Sequence, residues 1–241
     1  MKLDTVAIHS GDRKKARDFV PVTTPIYSAV SYFYEEMETL DRVFANELAG
    51  QNYSRYNNPT CNALEEQIAA LEGGEFALAC SSGMAAIHLA LLAALADRRK
   101  SVVAGRVLYG ASIRMLEQIL EPAGVEAHFA DPNDAQAWTA AVEEHKPGCV
   151  LVETITNPML RVLDLPRVCE AAHAAGALVV FDNTFATPVN LKPLACGVDV
   201  VFESATKSLG GHSDVIGGVA AGRGDVMAAV RKARKMFGAV M

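Results

Sequence analysis

Short apolar runs alternate with amphipathic segments along most of the chain after residue 60. Seven of the runs have the length of buried strands, and they lie at residues 76–80, 101–104, 125–130, 149–153, 178–182, 198–203 and 215–221. Six segments have the apolar spacing of helices, and they lie at residues 61–71, 83–96, 110–121, 134–145, 165–175 and 225–237. This alternation predicts an α/β domain with a mostly parallel sheet flanked by helices.

The first sixty residues lack this periodicity. They contain Pro21, Pro25, several aromatic residues and a polar run at residues 51–59. A free coil with so many aromatic side chains would expose more apolar surface than a monomeric protein usually does. We therefore predict that residues 1–60 form an irregular arm on a neighbouring subunit of a homo-oligomer, and that residues 61–241 form the large domain.

Composition narrows the classes of function. A chain of 241 residues with 51% hydrophobic residues can build a substantial core, and its net charge of −6 provides no basic field for nucleic acid. The longest apolar stretch, at residues 84–96, is too short to cross a bilayer, and the first residues lack a signal-peptide core. We expect a cytoplasmic location without nucleic-acid or membrane partners. The five cysteines lack Cys-x-x-Cys spacing, so no metal site is predicted.

A lysine and an acid carry the most informative chemistry. Lys207 lies in a turn rich in Ser, Thr and Gly, and Asp182 ends the apolar run at residues 178–182. Such a lysine can condense with the aldehyde of pyridoxal phosphate, while such an acid can hold the pyridine nitrogen protonated. Two ordinary interpretations remain open, because lysines at strand ends are usually solvated charges and aspartates often cap turns.

Small polar residues near these two groups could bind a phosphate. Residues 80–86 join a predicted strand to a predicted helix, where free backbone N–H groups attract anions. Ser204 and Thr206 flank the lysine closely enough for their hydroxyls to reach the same phosphate. The alternative for the first segment is an ordinary N-cap, and the alternative for the second is a turn preference.

Three further residues follow predicted strands. Tyr109 could stack on a flat ring, although an isolated tyrosine is more often part of a core or its rim. Glu153 and Asn157 lie at the end of the run at residues 149–153. Since an unpaired buried glutamate is costly, either Glu153 is paired and useful or the strand ends one residue earlier.

Taken together, five stretches resemble the Cys/Met-metabolism family of pyridoxal phosphate enzymes. They are Tyr53-Ser-Arg-Tyr-Asn-Asn-Pro-Thr60, Ser81-Ser-Gly-Met84, Glu153-Thr-Ile-Thr-Asn-Pro158, Asp182-Asn-Thr-Phe-Ala-Thr-Pro188 and Ser204-Ala-Thr-Lys-Ser-Leu-Gly-Gly-His-Ser-Asp214. They occur in the family's order and extend over nearly the whole chain. The family includes cystathionine γ-synthase, cystathionine γ-lyase, methionine γ-lyase and O-acylhomoserine sulfhydrylase.

The resemblance implies a type I aminotransferase-like large domain and a role for each matched residue. Lys207 would attach the cofactor and shuttle protons, Asp182 would hold the ring nitrogen, and Tyr109 would stack on the ring, with Glu153 as a further catalytic residue. The cofactor-binding set implied in addition is Ser82, Gly83, Met84, Asn157, Thr184, Ser204 and Thr206. Tyr53 and Arg55 would reach the cofactor phosphate of a neighbouring subunit, in a dimer or a tetramer built from dimers.

The resemblance also implies an activity, namely γ-elimination or γ-replacement on a homoserine-derived or sulfur amino acid. A β-lyase, an aminotransferase and a truncated pyridoxal phosphate-binding remnant remain alternatives. Family members continue into a smaller C-terminal domain that holds the substrate carboxylate, and this chain stops at Met241 without one. We therefore expect a fragment that assembles much of the cofactor site but holds the amino acid poorly.

Overall fold

The computed structural model describes residues 21–241, and these form a seven-stranded sheet with helices on both faces. The strands are β1 (Phe76–Cys80), β2 (Ser101–Gly105), β3 (Glu126–Ala130), β4 (Cys149–Glu153), β5 (Leu178–Asp182), β6 (Val200–Glu203) and β7 (Gly218–Gly222). Their order in the sheet is β1-β7-β6-β5-β4-β2-β3. All seven strand predictions are confirmed, with shifts of one to three residues at some ends.

The sheet is mostly parallel, as predicted. Strands β3, β2, β4, β5 and β6 pair in parallel, whereas β7 is antiparallel to both β6 and β1. Because β1 and β6 are both antiparallel to β7, they run in the same direction. The carboxyl ends of β1, β2, β4, β5 and β6 therefore meet at one edge, where ligands collect in sheets of this kind.

The helices come from segments with one apolar face or a wholly buried sequence. They are α1 (Met37–Phe44), α2 (Pro59–Glu72), α3 (Gly83–Leu95), α4 (Gly110–Met115), α5 (Ala135–His145), α6 (Leu165–Ala174), α7 (Thr187–Asn190) and α8 (Gly224–Phe237). A π-helical turn, Leu116–Leu120, continues α4, and a 3₁₀ turn spans Pro193–Cys196. The six predicted helices are all present, but α1, α7 and the 3₁₀ turn were not predicted.

Two apolar clusters lie on opposite faces of the sheet. Helices α3, α4 and α8 cover one face, and α2, α5 and α6 cover the other. Helix α3 is apolar almost all round because it lies between the sheet and α8. Its first residue, Gly83, is thereby fixed at the edge where the strands end.

Two strand boundaries differ from the prediction for a visible reason. The run at residues 215–221 was assigned to a strand, but β7 begins only at Gly218. The backbone of Gly217 exchanges hydrogen bonds with Thr206, so it belongs to a loop contact rather than to the ladder. Similarly, Asp199 caps the start of β6 by accepting from the amide of Val179 at 2.8 Å.

The described part of the arm, residues 21–58, is irregular apart from α1. Exposed apolar side chains occur along it, including Val22, Ile26 and Val30. Among the described residues, no helix is both long enough and apolar enough to span a bilayer.

Candidate active site

A cavity of about 280 Å³ opens at the edge where the strands end. It brings together eleven of the predicted site residues. They are Ser82, Gly83, Met84, Tyr109, Glu153, Asn157, Asp182, Thr184, Ser204, Thr206 and Lys207. Parallel strand order explains this convergence, because β4 ends at Glu153, β5 ends at Asp182, and the residues after β6 begin with Ser204.

Asp182 lies between two neighbouring strands in the interior part of the cavity. It is paired with Glu153 of β4 and with Phe202 of β6 in the sheet register. Its Oδ1 accepts from the backbone N–H of Thr184 at 2.8 Å. Burial raises the pKa of Asp182 to about 6, although the hydrogen bonds with Thr184 oppose this shift. A cation bound in the cavity would favour the ionised form.

Glu153 joins two loops around the cavity. Its Oε1 accepts from the backbone N–H of Tyr109 at 2.5 Å, and its Oε2 accepts from the backbone N–H of Asn157 at 3.1 Å. Burial raises its pKa to about 7, with a smaller contribution from the charge of Asp182, while the two amides lower it. Glu153 therefore has hydrogen-bond partners, which agrees with the first of the two interpretations that the sequence left open. It is also the last residue of β4.

The start of α3 faces the residues after β6 at very short range. Ser82 caps the helix by accepting from the amide of Ala85 at 3.1 Å. A Cβ atom on Gly83 would lie 2.8 Å from Cβ of Ser204 and 3.0 Å from its Cα. First-turn amides of a helix have no partner within the helix. This junction thus offers free N–H donors beside the Ser204 hydroxyl, which is a suitable site for an anion.

Lys207 occupies a tight turn whose backbone is held on both sides. Its N–H donates to the carbonyl of Ser204 at 3.1 Å, and its own carbonyl accepts from Gly211 at 2.8 Å. The lysine is exposed and lines the cavity. The hydroxyl of Thr206 donates to the carbonyl of Gly217 at 3.2 Å, so in this conformation its proton is engaged by the protein.

Tyr109 is the N-cap residue of α4 and is half-exposed. Its backbone is tied to Glu153, while its ring is among the groups that line the cavity. An aromatic ring in this position can lie against a flat ligand.

Tyr53 and Arg55 do not line this cavity within one chain. The Arg55 guanidinium lies 5.4 Å from the centre of the Tyr53 ring and 4.9 Å from that of Tyr56. Its Nη1 donates to the carbonyl of Lys235 at 2.6 Å. Their predicted contact with a cofactor on a neighbouring subunit stays a prediction.

Several lining residues were missed from the sequence. Ser112, Ile155 and Phe185 contribute to the cavity wall. Ile155 and Phe185 lie inside two of the stretches that were singled out, so their proximity to Glu153 and Asp182 was an available signal. Ser112 is a buried residue in the first turn of α4, and no local pattern distinguishes it from an ordinary helix residue.

The arrangement suits a flat anionic ligand. Its lining includes the first residues of α3, a serine with a hydroxyl, a carboxyl that would pair with a cation, and a tyrosine. A primary amine lies among these groups.

Comparison with known proteins gives consistent results. The chain is 38% identical over 226 residues to the O-succinylhomoserine sulfhydrylase of Pseudomonas aeruginosa, a match that covers 93% of this chain and 55% of that protein. It is 39% identical over 242 residues to the L-methionine gamma-lyase of Fusobacterium nucleatum, with 99% and 60% covered. The structure of cystathionine gamma synthase from Xanthomonas oryzae matches with a TM-score of 0.82 at 34% identity, with 91% of this chain and 54% of that chain covered.

The chain spans about half the length of the curated relatives it matches. The matched portion nevertheless includes almost all of this chain. The family model for Cys/Met metabolism PLP-dependent enzymes matches residues 4–241, and the chain belongs to that family.

Proposed function

We propose that this chain binds pyridoxal phosphate in the cavity at the strand ends. We further propose that the enzyme it builds performs γ-elimination or γ-replacement on a homoserine-derived or sulfur-containing amino acid. The observation that carries the proposal is the meeting of Asp182, Lys207 and the Gly83–Ser204 junction in one cavity. The cofactor is that of the family, which is described as PLP-dependent.

The residues present fit the cofactor at each end. The phosphate would lie at the first turn of α3, with the hydroxyl of Ser204 as a neutral donor. Asp182 would hold the ring nitrogen, because a cation beside a buried carboxyl with a raised pKa stabilises its ionised form. Tyr109 would cover one face of the ring.

When bound, the cofactor supplies an aldehyde for covalent attachment of amines and a ring that accepts electrons from the substrate. The residues of the chain provide binding, orientation and proton transfer. Lys207 Nζ would take the proton from Cα of the amino acid and later handle the proton at Cβ, after which a γ-substituent can leave. A lysine does this as a general base only in its neutral form.

Glu153 would keep the walls of the site in register. It anchors the backbone of Tyr109 and of Asn157 at the same time, so the ring-stacking residue and the loop after β4 move together. Its contribution is to the shape of the cavity.

The substrate class is proposed from the names of the relatives. Their names state that one relative acts on O-succinylhomoserine, one acts on methionine, and one synthesises cystathionine. All three substrate types are amino acids with a substituent at Cγ. The chemistry shared by the three is cleavage or formation of a bond at that carbon.

A panel of substrates tests the activity. The purified protein would be incubated with O-succinylhomoserine, O-acetylhomoserine, cystathionine, methionine and a keto acid, with product identification by mass spectrometry. Release of 2-oxobutanoate, or of a γ-substituted product when a thiol is supplied, supports the proposal, whereas release of pyruvate from cystathionine would indicate a β-lyase. Amino-group transfer to the keto acid would instead indicate an aminotransferase, and a bound cofactor without any product would indicate a binding role alone.

We also propose a homo-oligomer in which Tyr53 and Arg55 serve the cavity of a neighbouring chain. The exposed apolar side chains of the arm, among them Val22 and Ile26, support this proposal. A complementation experiment tests it with Arg55→Ala and Lys207→Ala chains. If Arg55 acts across the interface, a mixture of the two unfolded and refolded together regains cofactor binding that neither has alone. Binding equal to the average of the two separate variants would contradict the proposal.

A cytoplasmic location remains a proposal from the sequence. The relatives include proteins of bacteria and a chloroplastic enzyme of tobacco, so they do not decide it.

A further inference from the structure

Two acidic side chains are buried together behind the Lys207 turn. Glu203 is the last residue of β6, and Glu72 is the last residue of α2, which covers that face of the sheet. Each is only 1% exposed. The Glu72 carboxyl is one of the causes that raise the pKa of Glu203, so the two groups interact. Neither residue lines the cavity described above.

Few donors are available to this pair. Oε1 of Glu72 accepts from Nδ2 of Asn183 at 3.2 Å, and Asn183 is itself fully buried. Among the residues that the structure describes, none donates a hydrogen bond to Oε2 of Glu72 or to either carboxyl oxygen of Glu203. In residues 21–241, no ion pair includes either glutamate.

The two strands that flank β6 provide no positive charge to this pair of glutamates. Strand β7, which pairs with β6, contributes only glycine, valine and alanine at Gly218–Gly222. Strand β5 contributes Asp182, whose negative charge opposes ionisation of Glu203. Two neighbouring ionised carboxylates would therefore lack a compensating cation, and one buried unpaired charge already opposes folding strongly.

A single proton shared between the two carboxyl groups would remove the repulsion between two negative charges. A carboxylic acid on one residue can donate to the carboxylate of the other, and this bond satisfies oxygen atoms that otherwise have no partner. We propose that Glu72 and Glu203 share one proton at neutral pH and act as a positioning pair, which fixes the end of β6 and the turn that carries Lys207.

The pair is directly continuous with the active-site turn. Ser204 follows Glu203, its backbone N–H donates to Oγ1 of Thr184 at 2.9 Å, and its carbonyl accepts from the N–H of Lys207. Thr184 in turn donates to Asp182. A shift of the β6 end would thus be transmitted to both groups assigned to the cofactor. This functional consequence rests on the proposed function, whereas the shared proton does not.

Burial, followed by the Glu72 carboxyl and the charge of Asp182, raises the pKa of Glu203 well above its usual value. The folded state then holds a proton that the unfolded state releases. The sign follows directly, since stability from this proton is fully present below the unfolded pKa and is lost as pH rises through the folded pKa. Between these limits, one retained proton changes the folding equilibrium constant by about tenfold per pH unit.

The test uses the cofactor-free 241-residue chain, so that its outcome does not depend on the proposed function. Glu203→Gln supplies an amide N–H in place of the acid proton, and Glu66→Gln changes an exposed glutamate on the same helix as Glu72. Urea unfolding is measured for all three proteins from about pH 6 to about pH 9. We expect the stability of Glu203→Gln relative to wild type to rise with pH, by up to about tenfold per unit in the equilibrium constant, and Glu66→Gln to follow wild type.

Infrared spectroscopy supplies a second measurement that needs no folded variant. Asp182 and Glu153 have pKa values near 6 and 7, so at about pH 9 only the shared proton should leave a protonated-carboxyl band in the folded wild type. Retention of that band supports the proposal, and its loss in Glu72→Gln or Glu203→Gln assigns it. A wild-type spectrum without the band at about pH 9, or parallel pH profiles for wild type and Glu203→Gln, overturns the shared proton.

The stability difference between wild type and Glu203→Gln could change with pH as expected while their cofactor affinity stays the same across that pH range. That result would support the shared proton but refute its effect on Lys207. Failure of the chain to bind any cofactor would refute the proposed function and leave both of these measurements valid.

Discussion

The contact between Gly83 and Ser204 makes a specific prediction about a single methyl group. In Gly83→Ala, the new Cβ would lie 2.8 Å from the Ser204 Cβ and 3.0 Å from its Cα. Both distances are too short for carbon atoms, and the second involves backbone, which cannot rotate away. Overpacking of this kind costs about 1–3 kcal/mol, while alanine returns up to about 1 kcal/mol of helix propensity.

We therefore expect Gly83→Ala to lower the free energy of unfolding by about 1–2 kcal/mol. The new methyl group also pushes α3 away from Ser204, at the place where the phosphate would bind. Each 1.4 kcal/mol by which the new methyl group destabilises the bound state more than the free state weakens binding about tenfold. Urea unfolding would measure the first effect, and a pyridoxal phosphate titration followed by fluorescence would measure the second.

Gly110→Ala is the matched control. Gly110 also begins a helix beside the cavity, but a Cβ there would meet only the end of the Arg114 side chain at 3.5 Å. Its stability should change by about 0.5 kcal/mol or less. If Gly83→Ala and Gly110→Ala have the same stability and the same cofactor affinity, the close junction between α3 and Ser204 is not a constraint, and our account of the phosphate site fails.

Two further predictions concern the carboxyl groups. The pKa of Asp182 is raised from 3.8 to about 6, so the cofactor-free wild type should lose about 2 kcal/mol of stability relative to Asp182→Asn as pH rises from about 4 to 6; parallel unfolding curves across that range would contradict the shift. Glu153→Gln replaces one of two acceptor oxygens by a donor, which leaves the amide of Tyr109 or Asn157 without a partner and should cost about 1–3 kcal/mol. Hydrogen exchange at those two amides should accelerate in that variant, and unchanged protection at both would show that the clamp is not needed.

Much of the fold could be predicted because buried strands leave a simple pattern. Strands β4 and β5 are buried and appear in the sequence as uninterrupted apolar runs, whose short length distinguishes them from helices. Helix α1 was missed because only Val43 of its eight residues is buried, and its apolar spacing lies within a segment rich in aromatic and polar residues. Local sequence gives little indication of a helix whose partner surface is so small.

The site was predictable for a related reason. Glu153 and Asp182 each end an apolar run, and the carboxyl ends of parallel strands share an edge, so their proximity follows from the fold class. The pairing of Glu72 with Glu203 could not be inferred in this way. The two residues are far apart in sequence, and their proximity depends on how α2 packs across β1 and β7, beside β6.

The resemblance to the Cys/Met-metabolism family is confirmed, and so is the predicted α/β fold. The individual roles of the site residues, the arm's partner and the oligomeric state stay predictions. They depend on groups outside a single chain, on which periodicity and spacing carry no information.

The most direct test of the central claim is covalent trapping of the cofactor on its lysine. The purified chain would be incubated with pyridoxal phosphate, reduced with borohydride, digested and mapped by mass spectrometry, with Lys207→Ala and Lys192→Ala as paired variants. We predict that wild type and Lys192→Ala carry the reduced cofactor on Lys207, and that Lys207→Ala folds normally but carries none. Labelling of wild type at other lysines, or equal labelling of Lys207→Ala, would contradict the assignment of this cavity as the cofactor site.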